Sequence, residues 1–424
     1  MKKFLALIIA LVMALSLVAC GEQKQPETPD VPDDGEQTAT IKVGFITLHD
    51  ENSTYDLNFI NAAKEAIANL GLTENDYILK TNIEEGQKCY DTAAELADAG
   101  CNIIFADSFG HESYMIQAAK DFPDVQFCHS TGTRAHTENL PNYHNAFASI
   151  YEGRYLAGIA AGMKMNEMIE AGKFTADEAK MGYVGAFTYA EVVSGYTSFY
   201  LGAKSVCPTV TMDVTFTGSW YDETLEKEGA QKLIDGGCKL ISQHADSLGA
   251  PTACENAGIP NVSYNGSTQA AGPNTYIISS RIDWAPYYEM AIKAVMDGTE
   301  IPVDYTGDLK TGSVVLTDLN TAVAAEGTQA AIDEAKTKLE NGELHVFDCS
   351  TFTTSVELNP FKTDYLTVDA DGHITSYLAD VDTDEAYAGD TEVITSGYFS
   401  ESTARSAPYF DLSIDGINLL DTKM

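Results

Sequence analysis

Positive charge is scarce in this sequence. Twenty-five lysines and arginines stand against 63 aspartates and glutamates, a formal net charge of −38 over 424 residues. A surface that acidic repels nucleic acid and anionic headgroups, which argues against both as partners of the folded body. The eight histidines contain no H-x-x-x-H pair, and no two cysteines form C-x-x-C. That leaves no zincin signature and no zinc-ribbon spacing, so no metal is expected. A phosphate-cradling G-x-x-x-x-G-K-[ST] loop and a G-x-S-x-G elbow are also missing. No G-x-G-x-x-G follows the first apolar run, so a dinucleotide cofactor has no support. His244 and Asp246 could form an acid-base pair, but no nucleophile is marked beside them. No catalytic residue and no cofactor is expected, and the chain is not read as an enzyme.

The one long apolar run is at the start. Lys2 and Lys3 precede an apolar segment from Phe4 to Leu15, too short to be read as a spanning helix. It ends in Leu17-Val18-Ala19-Cys20-Gly21, which resembles the lipobox of bacterial lipoproteins. The resemblance implies cleavage before Cys20 and a diacylglycerol on its sulfur, at roughly 0.8 kcal/mol of anchoring per buried CH₂. Residues 21–40 carry Pro26, Pro29 and Pro32 among polar and acidic residues, the composition of a disordered tether. The expected location is the outer face of a cell membrane. The seven other cysteines number odd and lie mostly in apolar context, so they read as small buried hydrophobes.

From Lys42 onward the chain is built from strand-loop-helix units. Lys42 to Leu48 is a β-rich apolar run, and the polar loop from His49 to Asp56 leads into a helix with Ile60, Ala63, Ile67 and Leu70 on one side. The pattern repeats with strands at 77–80, 102–106, 125–128 and 145–148. A second series begins at Met181, with strands at 181–186, 210–216, 240–242 and 261–264. Two βαβ series predict two parallel sheets with right-handed crossovers. Tyr276 to Ser280 is expected to carry the chain back to the first lobe. A helix over Ala325–Leu339 and a strand at His345–Phe347 read as closing elements. Leu366 to Ile374 reads as a hairpin around an Asp-Gly turn. Asp369 and Asp371 miss the calcium-loop spacing, and the tail beyond is acidic and irregular. The division is 1–20 signal peptide, 21–40 tether, 41–148 first part of the N-lobe, 149–262 C-lobe, 263–350 return to the N-lobe with closing elements, and 351–424 acidic extension. The fold class is α/β: two Rossmann-like lobes with parallel sheets, joined by crossing hinge segments near Ala148, Val262 and Ser279.

In open parallel sheets ligands sit beyond the carboxyl ends of the strands. The residues just past the apolar runs are therefore the candidate site. Tyr55, Phe109, Phe187, Trp220 and Trp284 can grip a flat ligand. Asp56, Asp107, His129, Glu191, His244, Asp246 and Asn265 can fix its polar edges. Core packing is the bland alternative for each ring, most of all for Trp284, which begins a helix.

Taken as an ordered set, these stretches resemble the basic membrane protein, or PnrA-like, lipoproteins, nearest to the Med-like branch. The marks are Thr54-Tyr55, Ile104 to Gly110, Tyr151 to Gly158, Gly182 to Phe187 with Glu191, Ser219 to Asp222, Gln243 to Ser247 and Tyr264-Asn265. The resemblance implies a type I periplasmic-binding fold and a monomeric solute-binding protein serving an ABC permease and ATPase encoded elsewhere. It also implies capture of a purine nucleoside or base between Tyr55 and Phe187, one ring from each lobe. Ser113 and Asn265 stand where the family carries acids, so a free base or another heterocycle fits as well as a nucleoside. A lipid-tethered sensor and a sugar binder would use the same cleft. A secreted hydrolase acting through His244 and Asp246 is the rival from another class.

Overall fold

The computed structural model describes residues 41–381 and 389–423. The signal peptide, the tether and Cys20 lie outside the described residues.

The first lobe begins with β1 (Val43–Ile46), whose four residues are all buried. Near-continuous apolar runs of this kind belong to strands covered on both faces. Ser53 caps the next helix, α1 (Thr54–Asn69), by accepting a hydrogen bond from the Asp56 N–H. The chain continues through β2 (Tyr77–Lys80), α2 (Gln87–Asp98), β3 (Ile103–Ala106), α3 (Glu112–Asp121), β4 (Gln126–Ser130) and β5 (Tyr143–Ala148). It then passes into α4 (Ile150–Glu170). The second lobe runs β6 (Lys180–Gly185), α5 (Ala190–Val206), β7 (Thr211–Phe216), α6 (Glu223–Asp235), β8 (Leu240–Gln243), α7 (Gly249–Ala257), β9 (Asn261–Tyr264) and β10 (Tyr276–Ile282). Next come α8 (Ala285–Asp297), β11 (Asp304–Gly307), β12 (Val314–Leu316) and α9 (Thr328–Asn341).

The first sheet has the order β11-β5-β4-β3-β1-β2 with every pair parallel. The second contains β12-β10-β9-β8-β6-β7, parallel except for the β12 edge. Each lobe therefore reverses strand order once, between β1 and β3 in one and between β6 and β8 in the other. Open α/β sheets bind ligands at such switch points.

The helices α4 and α5 lie backbone to backbone. A Cβ on Gly158 would come within 2.0 Å of the Phe199 carbonyl oxygen, and one on Gly202 within 2.0 Å of that of Tyr155. The small residues legible in α4 serve this contact.

Several expectations need correction. Tyr276 to Ser280 does not return to the first lobe: β9 and β10 both stay in the second sheet, and the chain crosses after Ile282. The other crossings fall between Ala148 and Ile150 and between Gly307 and Val314. His345–Phe347 forms a turn, not a strand; only Asp348 makes a bridge, to Tyr398.

The tail is more ordered than its composition suggests. The expected hairpin forms from β13 (Leu366–Val368) and β14 (Ile374–Ala379), with β15 (Thr391–Glu392) beside it and a second pair, β16 (Ile394–Thr395) and β17 (Tyr398–Phe399). Phe347, Phe352, Phe399, Tyr409 and Phe410 form its aromatic core. β18 (Ile417–Leu419) then joins the second sheet parallel to β7 and covers that edge. The seven cysteines in the described region are buried and free.

Candidate ligand-binding site

The loop after β1 is tied to itself. Asp56, on the first turn of α1, accepts from the His49 N–H at 2.7 Å and the Ser53 hydroxyl at 2.6 Å, with the His49 ring nitrogen 3.3 Å away. Burial raises its pKa, but the bonds from His49 and Ser53 outweigh burial, and the carboxyl lies below its ordinary value. The Tyr55 hydroxyl donates to the Asp107 carbonyl at 2.6 Å, which fixes the ring against the end of β3. Asp107 is itself 1 % exposed and accepts from the Leu48 N–H at 3.1 Å. Burial, then the charge of Asp56, pushes its pKa well above the usual range.

On the second lobe, Asp246 follows β8 and Asn265 follows β9. The Asn265 amide donates to the Asp246 carboxylate at 3.1 Å. Burial first, and then the charges of Asp56, Glu226 and Glu191, raise the pKa of Asp246 far above normal. His244 lies 3.4 Å from Glu191, and its other ring nitrogen is 3.4 Å from the Tyr183 hydroxyl. Behind Tyr183 sits Arg154, wholly buried, donating to the Tyr183 and Ser242 hydroxyls and the Ser263 carbonyl. It lies over the rings of Tyr183, Phe199 and Tyr264 at 5.0–5.5 Å, where a desolvated cation gains from the aromatic faces.

The lobes meet across this gap. The Thr54 N–H and hydroxyl both donate to the Asp246 carbonyl, at 3.0 and 3.1 Å. Phe109 stacks on Tyr189 with centroids 5.2 Å apart, and His49 lies 5.4 Å from the Tyr221 ring. Between them is a narrow cavity. It is lined by Leu48, His49, Tyr55, Asp56, Phe109 and Thr131 from the first lobe, and by Glu191, Trp220, His244, Asp246 and Asn265 from the second. No lysine or arginine is among these residues.

Eight of the twelve sequence candidates therefore lie together: Tyr55, Asp56, Phe109, Glu191, Trp220, His244, Asp246 and Asn265. Four do not line the cavity. Asp107 and His129 stand behind it; the His129 ring bonds the Ser108 carbonyl at 2.6 Å, and burial lowers its pKa to about 4. Trp284 is in the core, stacked on Phe59 at 4.5 Å and edge-on to Phe147. Phe187 does not line the cavity. It stacks on Tyr189 at 5.1 Å and meets Trp220 edge-on at 5.0 Å, and Trp220 is the second-lobe ring that does line it. Leu48, His49 and Thr131 were not among the candidates. His49 lies in the loop expected to face a ligand, whereas nothing in the sequence marks Thr131 above its neighbours. Among the described residues no group of three or more His, Cys, Asp or Glu is placed to hold a metal ion, and no helix is long and apolar enough to cross a membrane.

Residues 44–346 match the family model for PnrA-like ABC transporter substrate-binding proteins. The chain is 32 % identical over 310 residues to a purine-binding protein of Brucella abortus, covering 72 % of this chain and 83 % of that one. A Haloferax volcanii protein, provisionally named an ABC transporter glucose-binding protein, is 33 % identical over 258 residues, 61 % of this chain and 62 % of its own length. Among solved structures, a solute-binding protein of an ABC transporter system from Aeropyrum pernix superposes with a TM-score of 0.61 at 19 % identity, over 72 % of this chain and 93 % of that one.

Proposed function

Because the chain belongs to the PnrA-like family of ABC transporter substrate-binding proteins, a family of binders rather than enzymes, we propose that its cleft captures a purine base or nucleoside. The carrying observation is the lining of the cavity: rings from both lobes, Tyr55, Phe109 and Trp220, around three acids and the Asn265 amide, with no lysine or arginine among them. Rings of this kind stack on a flat heterocycle, each pair adding about 0.5–1.5 kcal/mol beyond area burial. The acids accept from its N–H and hydroxyl groups. A phosphorylated ligand would place like charges together at a site with no lysine or arginine to neutralise them. The purine-binding relative supports the same class.

The lobes rotate about the three crossings, and closure is favoured by ligand contacts that exist only in the closed form. A permease and its ATPase receive the loaded protein. The test is a thermal-shift panel of adenine, hypoxanthine, inosine, guanosine, AMP and glucose. A purine should raise the melting temperature, AMP should not, and Trp220→Ala should remove the shift. If glucose alone stabilises the parent, the sugar reading, favoured by the Haloferax relative, replaces this one.

The anchor is part of the proposal. Leu17-Val18-Ala19-Cys20 carries the lipid that keeps the protein at the outer membrane face. Cys20→Ala should shift the protein from the membrane fraction to the medium; unchanged fractionation would remove the anchor from the reading.

A further inference from the structure

Six non-glycine residues in the described regions have positive φ: Asn82, Thr131, Asn139, Asn265, Ser396 and Ser402. Asparagine tolerates that region, whereas a β-branched residue there is a true outlier. Thr131 is the one β-branched residue of the six, at φ +72°. Two of the six line the cavity, Thr131 and Asn265. They occupy the same place in the two lobes. Thr131 is the first residue after β4, the fourth strand of its lobe, and Asn265 is the first after β9, the fourth of the other.

The surrounding loop keeps Thr131 in this conformation. Its N–H donates to the Ala146 carbonyl at 3.0 Å. The next residue is Gly132, where a Cβ would fall 2.0 Å from the Asn145 amide nitrogen. Buried Glu112 then accepts from the N–H groups of Thr133 and Arg134, at 2.8 and 2.9 Å, and from the Tyr143 hydroxyl at 3.1 Å. Strain of this sort persists only where the neighbours over-determine the backbone. The strain leaves Thr131 only 4 % exposed, at the cavity wall, with its hydroxyl oxygen unpartnered. Asn265, its counterpart, uses its amide to hold Asp246. The Thr131 hydroxyl has no such protein duty.

We propose that Thr131 is a specificity residue, whose hydroxyl hydrogen-bonds a polar atom of the ligand from the first-lobe side of the cleft. It can donate or accept there, whereas the carboxylates at this site, once ionised, only accept. The inference rests on the cleft being the ligand site but not on the ligand being a purine.

Thr131→Val, Thr131→Ser and Thr131→Gly test it, each melted alone and titrated calorimetrically with adenine and inosine. Without ligand, Thr131→Gly should melt above the parent because glycine accepts φ +72°, and Thr131→Val should melt no lower, because no protein bond is lost. Purine affinity should fall at least tenfold in Thr131→Val and Thr131→Gly and stay within a few-fold of the parent in Thr131→Ser. Parent-like affinity in Thr131→Val overturns the proposal, as does a ligand-free melting point several degrees below the parent in both Val and Gly variants. If neither purine binds the parent, the purine reading falls and the variants are titrated with glucose instead, where equal affinity in Thr131→Val and the parent overturns the proposal and a tenfold loss confined to Val and Gly supports it.

Discussion

The two walls of the cleft are held by different means. The first-lobe wall, where Tyr55 and Phe109 stand among polar residues, braces itself from within: Asp56 is bonded by His49 and Ser53, Tyr55 by the Asp107 carbonyl, and the loop after β4 by Glu112. The second-lobe wall, Trp220 among Glu191, His244, Asp246 and Asn265, is backed by a cluster of rings, and part of that cluster's support comes from the far end of the chain. Phe187, Tyr189 and Trp220 pack on one another, and Thr188 between the first two exchanges hydrogen bonds with Lys423, at 2.7 and 2.9 Å. Asp421 accepts from the Thr215 hydroxyl and the Phe216 N–H at the end of β7 and pairs with Lys232. A polar wall can be ordered by local hydrogen bonds, which have direction. In the ring cluster, the backbone between the stacked Phe187 and Tyr189 takes its partner from the tail.

The contrast breaks most visibly at Glu112. Glu112→Ala strands two backbone donors and a buried tyrosine hydroxyl, at about 1–3 kcal/mol for each donor left unpaired. The urea midpoint should drop and ligand affinity should fall with it, because Thr131 loses its frame. A variant as stable as the parent would show that the first-lobe wall does not depend on this brace.

Ending the chain after Asp415 should act on the other wall. It removes β18 and the bonds of Asp421 and Lys423, each hydrogen bond worth about 0.5–1.5 kcal/mol net. Amide exchange should quicken at Thr188 and along β7 while the first-lobe loops stay protected. Equal protection in both proteins would mean that the aromatic wall stands without the tail.

Charge separates the walls in a third way. Glu226, behind Asp246, accepts from the Ser247 and Asp222 N–H groups, yet burial raises its pKa from 4.5 to about 7. Between those values the folded protein keeps a proton that the unfolded chain has released. Stability therefore falls as pH rises through that window, by at most about 1.4 kcal/mol per pH unit for one group. Glu152, raised to about 7, and Glu401, raised to about 8, act in the same direction. Asp56 has the opposite sign: its contribution is present above the unfolded value and is lost as pH falls through its lowered folded value. A melting series from about pH 5 to 8, the span of these shifts, should flatten in Glu226→Gln and keep its slope in Asp56→Asn. A full slope in Glu226→Gln would remove Glu226 from this account.

Much of the site could be read from the chain because strand ends in a parallel sheet share one edge. Tyr55, Phe109, Trp220, His244 and Asp246 each follow an apolar run, and that position alone brought them together. Trp284 fails the same rule because it follows β10 at a crossing, where the chain leaves the second sheet and turns its side chain onto Phe59. Phe187 follows the rule but does not line the cavity, whereas Trp220 from the next loop, edge-on to it, does.

The alternation of apolar runs and amphipathic segments determined two α/β lobes and the edge where a ligand belongs, because that periodicity is local and records which face of each element must be buried. Three things were left to the tertiary structure: which lobe claims β10, what the acidic tail covers, and the left-handed turn at Thr131. Each depends on which distant segment supplies a missing neighbour: the β9 edge for β10, the open side of β7 for the tail, and the Glu112 carboxylate for the loop that holds Thr131.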